Sequence, residues 1–121
     1  MAELSQEKCL AVNGDASPIS DEEATQLLPR IPQWSLINED GMRKLRREFV
    51  FNNFLQSLFF ANTLGWQAEA EHHYPLTAID RRKVTVTVWT NRLHDLHRND
   101  FIMAAKADQI YLGMDLSKLT G

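Results

Sequence analysis

The chain reads as an α+β domain: a four-stranded antiparallel sheet with helices packed on one face. Three observations predict this. Residues 45–51 and 84–89 alternate with the period of two expected of strands that bury one face. Residues 54–71 carry apolar groups at helical spacing instead. The order helix, two strands, long helix, two strands, helix lets the helices cover one side of a single sheet.

The first helix opens at Ser20-Asp21-Glu22-Glu23. This is a capping box, in which Ser20 accepts from the Glu23 amide and Glu23 reaches back, and its acidic first turn suits the helix dipole. The helix runs to about Leu28, where Pro29 and Pro32 end it. Trp34 to Ile37 reads as a short strand, and Asn38-Glu39-Asp40-Gly41 as a turn with Asp-Gly as its hairpin signal. In the next strand Leu45, Arg47, Phe49 and Phe51 point one way, and Arg46, Glu48 and Val50 the other. Asn52-Asn53 offers an N-cap. In the long helix, Phe54, Leu58, Ala61, Gly65 and Ala68 form the stripe expected against the sheet, with Leu55, Phe59 and Trp66 beside it. Gly costs a helix roughly 1 kcal/mol against Ala, so Gly65 is read as permitting close approach to the sheet.

His72-His73-Tyr74-Pro75 ends that helix, because Pro disfavours helical geometry in the residue before it. Residues 76–80 suit a short edge strand. Val84, Val86 and Val88 alternate with Thr85, Thr87 and Trp89 in a strand with one buried face. A loop from Asn91 to His97 leads to the last helix, which starts near Asn99-Asp100 and carries Phe101, Ala105, Asp108 and Leu112 at helical spacing. A polar tail follows.

Residues 1–19 hold few large apolar groups and read as a flexible leader or arm before a single domain over residues 20–121. An apolar content of 44% with 24% charged residues excludes global disorder. The net charge of -3 leaves no bulk basic field for nucleic acid or an anionic membrane. The clusters Lys44, Arg46, Arg47 and Arg81, Arg82, Lys83 read as solvated strand ends or turns, so no direct nucleic-acid binding is expected. Cys9 is the one cysteine, which forbids an internal disulfide, fits a reducing cytosol and reads as an incidental free thiol. No run approaches the ~18 apolar residues of a membrane span. The opening residues lack the basic-then-apolar pattern of a secretory signal, so a cytoplasmic location without membrane contact is expected.

Histidine is the residue type with most chemical promise. His72 and His73 fall at a helix C-terminus, where a protonated imidazole is favoured by the dipole and a capping role would suffice. His94 and His97 have the spacing His-x-x-His, but without a companion Cys no metal is expected. Trp89 could stack on a flat ligand or sit in a core or interface. Asp100 could touch a ligand or cap the last helix.

From Trp34 to Asp108 the chain resembles the pterin-4a-carbinolamine dehydratases, also known as dimerisation cofactors of a homeodomain transcription factor. The resemblance rests on Trp34, Phe49-x-Phe51, the helix from Phe54 to Trp66, Glu69 and Glu71 before the His-rich turn, Val84-Thr85-Val86-Thr87 and Thr90. Its strongest part is Leu96-His97-Arg98-Asn99-Asp100-Phe101-Ile102-Met103-Ala104-Ala105-Lys106-Ala107-Asp108, which resembles the family's Leu-Thr-x-Asn-Asp-Phe-x-x-Ala-Ala-Lys-x-Asp. The resemblance implies removal of the 4a-hydroxyl from a reduced pterin carbinolamine. That reaction needs an acid at the leaving oxygen and a base at N5, and imidazole suits both near neutrality. The family carries a His-His-Pro turn, an aromatic residue a few positions later and a third His after the following strand's Thr.

Aligned without gaps, those positions fall on His73, Tyr74, Pro75, Arg81 and Asn91. One of the three histidines survives. A one-residue insertion would pair His72 with His73 but displace Pro75 and leave Asn91. The family's loop Gly falls on Asp95, a residue type that tolerates left-handed backbone. The resemblance therefore marks His73, Tyr74 and Asn91 as the degenerate catalytic set, with His72, Pro75, Trp89 and Asp100 as binding positions. It implies no cofactor, and a homo-oligomer, expected as a dimer formed through sheet edges or the uncovered sheet face. A dehydratase-like branch with degraded sites, linked to α-carboxysomes, serves as a RuBisCO assembly factor. The altered turn is similar to that branch, which implies a non-catalytic chaperone role with the RuBisCO large subunit as partner and only weak pterin binding. The alternative is an active 4a-hydroxytetrahydrobiopterin dehydratase that uses His73 with substituted partners.

Overall fold

The computed structural model describes residues 3–119. Helix α1 (Asp21–Leu27) leads through a 3-10 turn to strands β1 (Ser35–Glu39) and β2 (Met42–Val50). Helix α2 (Phe54–Glu71), strands β3 (Leu76–Asp80) and β4 (Lys83–Val88), and helix α3 (Arg98–Gly113) follow. The strands form one sheet in the order β1-β2-β4-β3, every neighbour antiparallel. The α+β architecture is the one expected, down to the edge position of β3.

Local chemistry explains most boundaries. Ser20 Oγ accepts from Glu23 N–H at 3.1 Å, the first half of the capping box. The second half is replaced, since Glu23 Oε1 accepts from Arg98 Nη1 at 3.0 Å. Strand β1 runs two residues further than the sequence suggests. The hairpin then turns on Asp40 and Gly41 alone, at φ 55° and 76°, the pair of positive values that a two-residue turn between twisted strands requires. Asn53 Oδ1 accepts from Gln56 N–H at 2.8 Å and opens α2.

Alternation along β2, continued by Phe51 just after it, places Leu45, Phe49 and Phe51 in the core, where they meet Val84, Val86 and Val88 of β4, Phe60 and Leu64 of α2, and Phe101 and Ile102 of α3. Phe49 is the hub, with ring centroids 4.5 Å from Phe60 and 5.2 Å from Tyr111. Burying each such side chain contributes about 1.5–3 kcal/mol. Arg47 shares this inner row because its guanidinium pairs with Asp108 at 2.6 Å and lies 4.2 Å over the Phe49 ring. Burial raises the Asp108 carboxyl above its ordinary value, although the Trp34 indole N–H and Arg47 pull the other way. On the opposite row Lys44 and Arg46 both pair with Glu39, at 3.2 and 2.9 Å. The first basic run is thus divided between the two sheet faces, with Arg47 paired to Asp108 on one and Lys44 and Arg46 sharing Glu39 on the other. Arg81 and Arg82 are exposed in the β3–β4 turn.

Helix α2 packs on the sheet with a different side from the one its sequence suggests. Gln56, Ser57, Phe60, Leu64 and Ala68 are buried, while Phe54, Leu55, Phe59 and Trp66 are exposed. Gly65 faces open space, with no atom within 4 Å of where a Cβ would stand. The expected stripe is therefore corrected at Phe54 and Gly65, while Leu58 is half-buried and Ala61 and Ala68 keep their place against the core, and Gly65 is no packing notch. Phe59 and Trp66, expected beside that stripe, lie outside the core. On α3 the expected stripe keeps Phe101, Ala105 and Asp108 but loses Leu112, which is exposed. Among the described residues, no helix is long and apolar enough to cross a membrane.

Residues ahead of α1 run along α3. Leu4 is buried, Lys106 Nζ donates to Ser5 O at 2.8 Å, and Arg98 pairs with Glu7 at 2.8 Å.

Candidate functional site

The end of α2 sets the site. His72 adopts left-handed backbone, φ 53°, and its N–H donates to the carbonyls of Ala68 and Glu69. This is the usual way to stop a helix, more often made by Gly or Asn. The side chain of His72 stays exposed, so its firm contribution is a backbone cap. That reversal aims His73 at the start of α3. There its Nε2 lies 2.6 Å from Asp100 Oδ1.

Asp100 is fully buried and accepts two further bonds on Oδ2, from Thr90 Oγ1 at 2.8 Å and from His97 N–H at 2.9 Å. The two roles considered for Asp100 therefore coincide: it completes the capping box of α3, whose N-cap is His97, and it holds a site imidazole. A carboxylate accepting from Nε2 fixes the tautomer and leaves Nδ1 as the nitrogen free for proton transfer.

Beside His73 lies a cleft of about 490 Å³. One side is His72, His73 and Tyr74, the next Trp89, Thr90, Asn91 and Arg92, and the last Glu71 with Cys9, Leu10, Ala11 and Val12. The structure thus brings His72, His73, Tyr74, Trp89 and Asn91 to one cavity, places Asp100 directly behind His73, and leaves Pro75 off the lining. Trp89 is half-buried, with Lys44 Nζ 4.1 Å from its ring centroid, and its indole N–H is buried without a protein partner among the described residues. Such a donor carries a desolvation cost of about 1–3 kcal/mol until something accepts from it.

The substituted positions are less constrained. Tyr74 is 60% exposed, and hydrogen bonding to the adjacent Glu69 carboxylate, with burial and its charge, holds the phenol above its ordinary value. Asn91 is exposed at the start of a short 3-10 turn and makes no side-chain hydrogen bond among the described residues. The left-handed residue of this loop is His94, φ 51°, and not Asp95. Asp95 instead pairs with Arg43 at 2.6 Å and accepts from its neighbour Leu96 N–H. Burial pushes the Asp95 carboxyl up, but Arg43 and the Leu96 amide together bring it below the usual value.

Four contributors escaped the sequence reading. Thr90, Glu71 and Asn99 entered only as residues that carry the resemblance, with Asn99 also at the helix start, and the stretch from Cys9 to Val12 only as part of the leader. Cys9 N–H donates to Glu71 Oε1 at 2.7 Å. Burial, with the Glu71 charge, pushes its thiol up to about 12, which keeps the thiolate scarce and its reactions slow at neutral pH. Among the described residues, no group of three or more His, Cys, Asp and Glu is arranged to hold a metal ion.

Comparison with known proteins agrees with this geometry. The family model "Pterin 4 alpha carbinolamine dehydratase" matches residues 17–110. A protein of Marinobacter nauticus named "Putative pterin-4-alpha-carbinolamine dehydratase" is 42% identical over 111 residues, covering 92% of this chain and 100% of its own. Proteins of the same name from Microcystis aeruginosa and Chlorobium luteolum are 43% and 40% identical over 111 residues, each covering 92% of this chain and 96% and 97% of their own. The crystal structure of a transcriptional coactivator/pterin dehydratase from Brucella melitensis superposes with a TM-score of 0.71 at 24% identity, covering 78% of this chain and 99% of that one, which supports the fold. The chain belongs to the pterin 4 alpha carbinolamine dehydratase family.

Proposed function

We propose that the cleft binds a reduced pterin and that dehydration there is slow, because it offers one positioned proton-transfer group where the reaction needs two. The observation that carries this reading is the contrast at the site. His73 is locked at 2.6 Å from buried Asp100, while Tyr74 stands in solvent with a raised pKa. His73 through Nδ1 can take or give one proton. Tyr74 is a poorer acid than an ordinary phenol and a poor base at pH 7. Asn91 can hydrogen-bond a pterin oxygen but cannot carry a proton through a cycle.

Loss of one acid–base group costs ~10²–10⁴-fold in rate. Dehydration of a synthetic 4a-carbinolamine tests the reading, with the unaltered protein beside Tyr74→His/Asn91→His. The double change gains at least ~10²-fold. An unaltered protein turning over at ~1–10³ per second, the ordinary enzyme range, overturns the reading in favour of an active 4a-hydroxytetrahydrobiopterin dehydratase.

A second reading, of a chaperone-like binding protein, is favoured by one separate observation. The outer side of α2 exposes Phe54, Leu55, Phe59 and Trp66 together, an apolar surface that monomers seldom leave open. It suits a homo-oligomer in a cytoplasmic setting, or a client such as the RuBisCO large subunit. Co-expression with RuBisCO, with soluble holoenzyme yield as the readout, tests the client. An unchanged yield removes it.

A further inference from the structure

The chain from Cys9 to Val12 lies outside residues 17–110, the part matched by the family model, yet it lines the same cleft as His73 and Trp89. It is held from two sides by groups next to the site. Asn99, which precedes Asp100, is buried and grips Leu10 at both backbone groups: Leu10 N–H donates to Oδ1 at 2.9 Å, and Nδ2 donates to Leu10 O at 2.7 Å. This is the two-point hold of a sheet pair, made by one side chain. Glu71, which precedes His72, accepts from Cys9 N–H at 2.7 Å. Upstream, Glu7 pairs with Arg98 and the Ser5 carbonyl with Lys106. One residue past the Asn99 clamp the pattern stops. Among the described residues, the N–H and C=O groups of Ala11 and Val12 meet no protein partner.

We propose that Cys9–Val12 is a strap forming a fixed wall of the ligand cleft, with Asn99 and Glu71 as its positioning residues. The free peptide groups of Ala11 and Val12 then take the donor–acceptor edge of a flat heterocycle. This inference rests on the pterin reading and deepens it. An amide-like ring edge alternates donors and acceptors in one plane, and an extended backbone presents the complementary alternation. The neighbouring Trp89 lines the same cavity and brings an aromatic side chain to it. Fixing the strap beforehand lowers the ordering cost of binding.

The test uses the full-length protein and two substitutions that release the strap from opposite sides. Leu10→Pro deletes the N–H that Asn99 accepts and touches nothing in the core, and Asn99→Ala removes the clamp. Affinity for 7,8-dihydrobiopterin is measured by calorimetry. Because Cys9 is the one cysteine in the chain, its labelling by a disulfide reagent reports strap opening independently of any ligand. Both variants are expected to label Cys9 at least about tenfold faster and to bind at least about tenfold more weakly, with the melting temperature of Leu10→Pro within a few degrees of the unaltered protein's. The pterin slows labelling of the unaltered protein. Faster labelling with unchanged affinity overturns the strap as a ligand wall. No binding by the unaltered protein overturns the pterin reading itself. The clamp then rests on labelling alone, and equal rates in the unaltered protein and Leu10→Pro overturn it too.

Discussion

On its inner side α2 sets Phe60, Leu64 and Ala68 against the sheet with almost no exposure, while round the same helix Phe59 and Trp66 are 46% and 78% exposed. The two sides hardly differ in apolar content; they differ in polar partners. Gln56 and Ser57 are buried because each finds them: Gln56 Nε2 donates to Leu119 O at 3.1 Å and its Oε1 accepts from Asn52 N–H, while Ser57 Oγ donates to Arg81 O at 3.3 Å. The core side of this helix is therefore chosen by where polar groups can be satisfied as much as by where apolar groups lie. The outer side keeps large apolar groups exposed, a pattern expected of a surface that meets another protein.

The sharpest break of that comparison is a pair of adjacent truncations. Phe60→Ala empties a fully buried site against Phe49 and Phe51 and is expected to cost about 3–5 kcal/mol. Phe59→Ala is expected to change the stability of the monomer by no more than about 0.5 kcal/mol. Urea denaturation at low protein concentration measures both. Equal losses would mean that the two sides are not distinct in solution.

That contrast also explains what was legible in the sequence. The sheet was readable because β2 and β4 alternate cleanly and Asp40-Gly41 admits one tight turn. Helix α2 existed in the pattern, but its orientation did not, because a helix apolar round most of its circumference has no unique stripe. Gly65 misled for the same reason, its small size being compatible with a packed or an open position. At the site, the motif positions led to His73 and Asp100. Their 2.6 Å contact depends on His72 adopting left-handed backbone, which the residue type does not announce. The strap was unreadable because it is attached through backbone groups, which every residue has, to the side chains of Asn99 and Glu71.

A second test addresses the outer side directly. Phe59→Ser with Trp66→Ser is expected to weaken self-association at least about 100-fold, near 2.7 kcal/mol, as loss of aromatic anchors at an interface does. Monomer stability should hold. Sedimentation or light scattering across the micromolar range is the readout. An unaltered protein that stays monomeric at high micromolar concentration removes self-association as the use of this surface and leaves a different protein as its occupant.

Attachment by burial and attachment by charge should also separate with pH. Asp95 ties the cleft loop to Arg43, and its carboxyl is held below the ordinary value. A depressed carboxylate contributes stability that is present above its unfolded value, near pH 4, and is lost as pH falls through the folded value. Asp95→Asn is therefore expected to cost about 1–2 kcal/mol at pH 7, with a difference that closes progressively below about pH 4. The Phe60→Ala penalty involves no titrating group and should stay constant over the same range. Urea midpoints at pH 7, 4 and 3 decide it. A pH-independent Asp95→Asn effect would mean that the Arg43 pair contributes little beyond its neutral hydrogen bonds.

The smallest expected effect bears on the residue that the sequence placed on the wrong side. Gly65 lies in the interior of α2, and the contacts that a packing role requires are missing: a Cβ there meets no atom within 4 Å. Gly in a helix interior loses more backbone freedom on folding than Ala does, and at an exposed site nothing offsets that loss. Gly65→Ala should therefore stabilise the monomer by roughly 0.5–1 kcal/mol. The same substitution against the sheet would have forced the helix outward and destabilised the fold, so the sign alone separates the two orientations of α2. Its effect on assembly is a finer probe. If a partner helix approaches the outer side closely at Gly65, the added methyl raises monomer stability while weakening association. If the partner touches only Phe59 and Trp66, association is unchanged. A destabilised monomer is the outcome that would return Gly65 to the inner side.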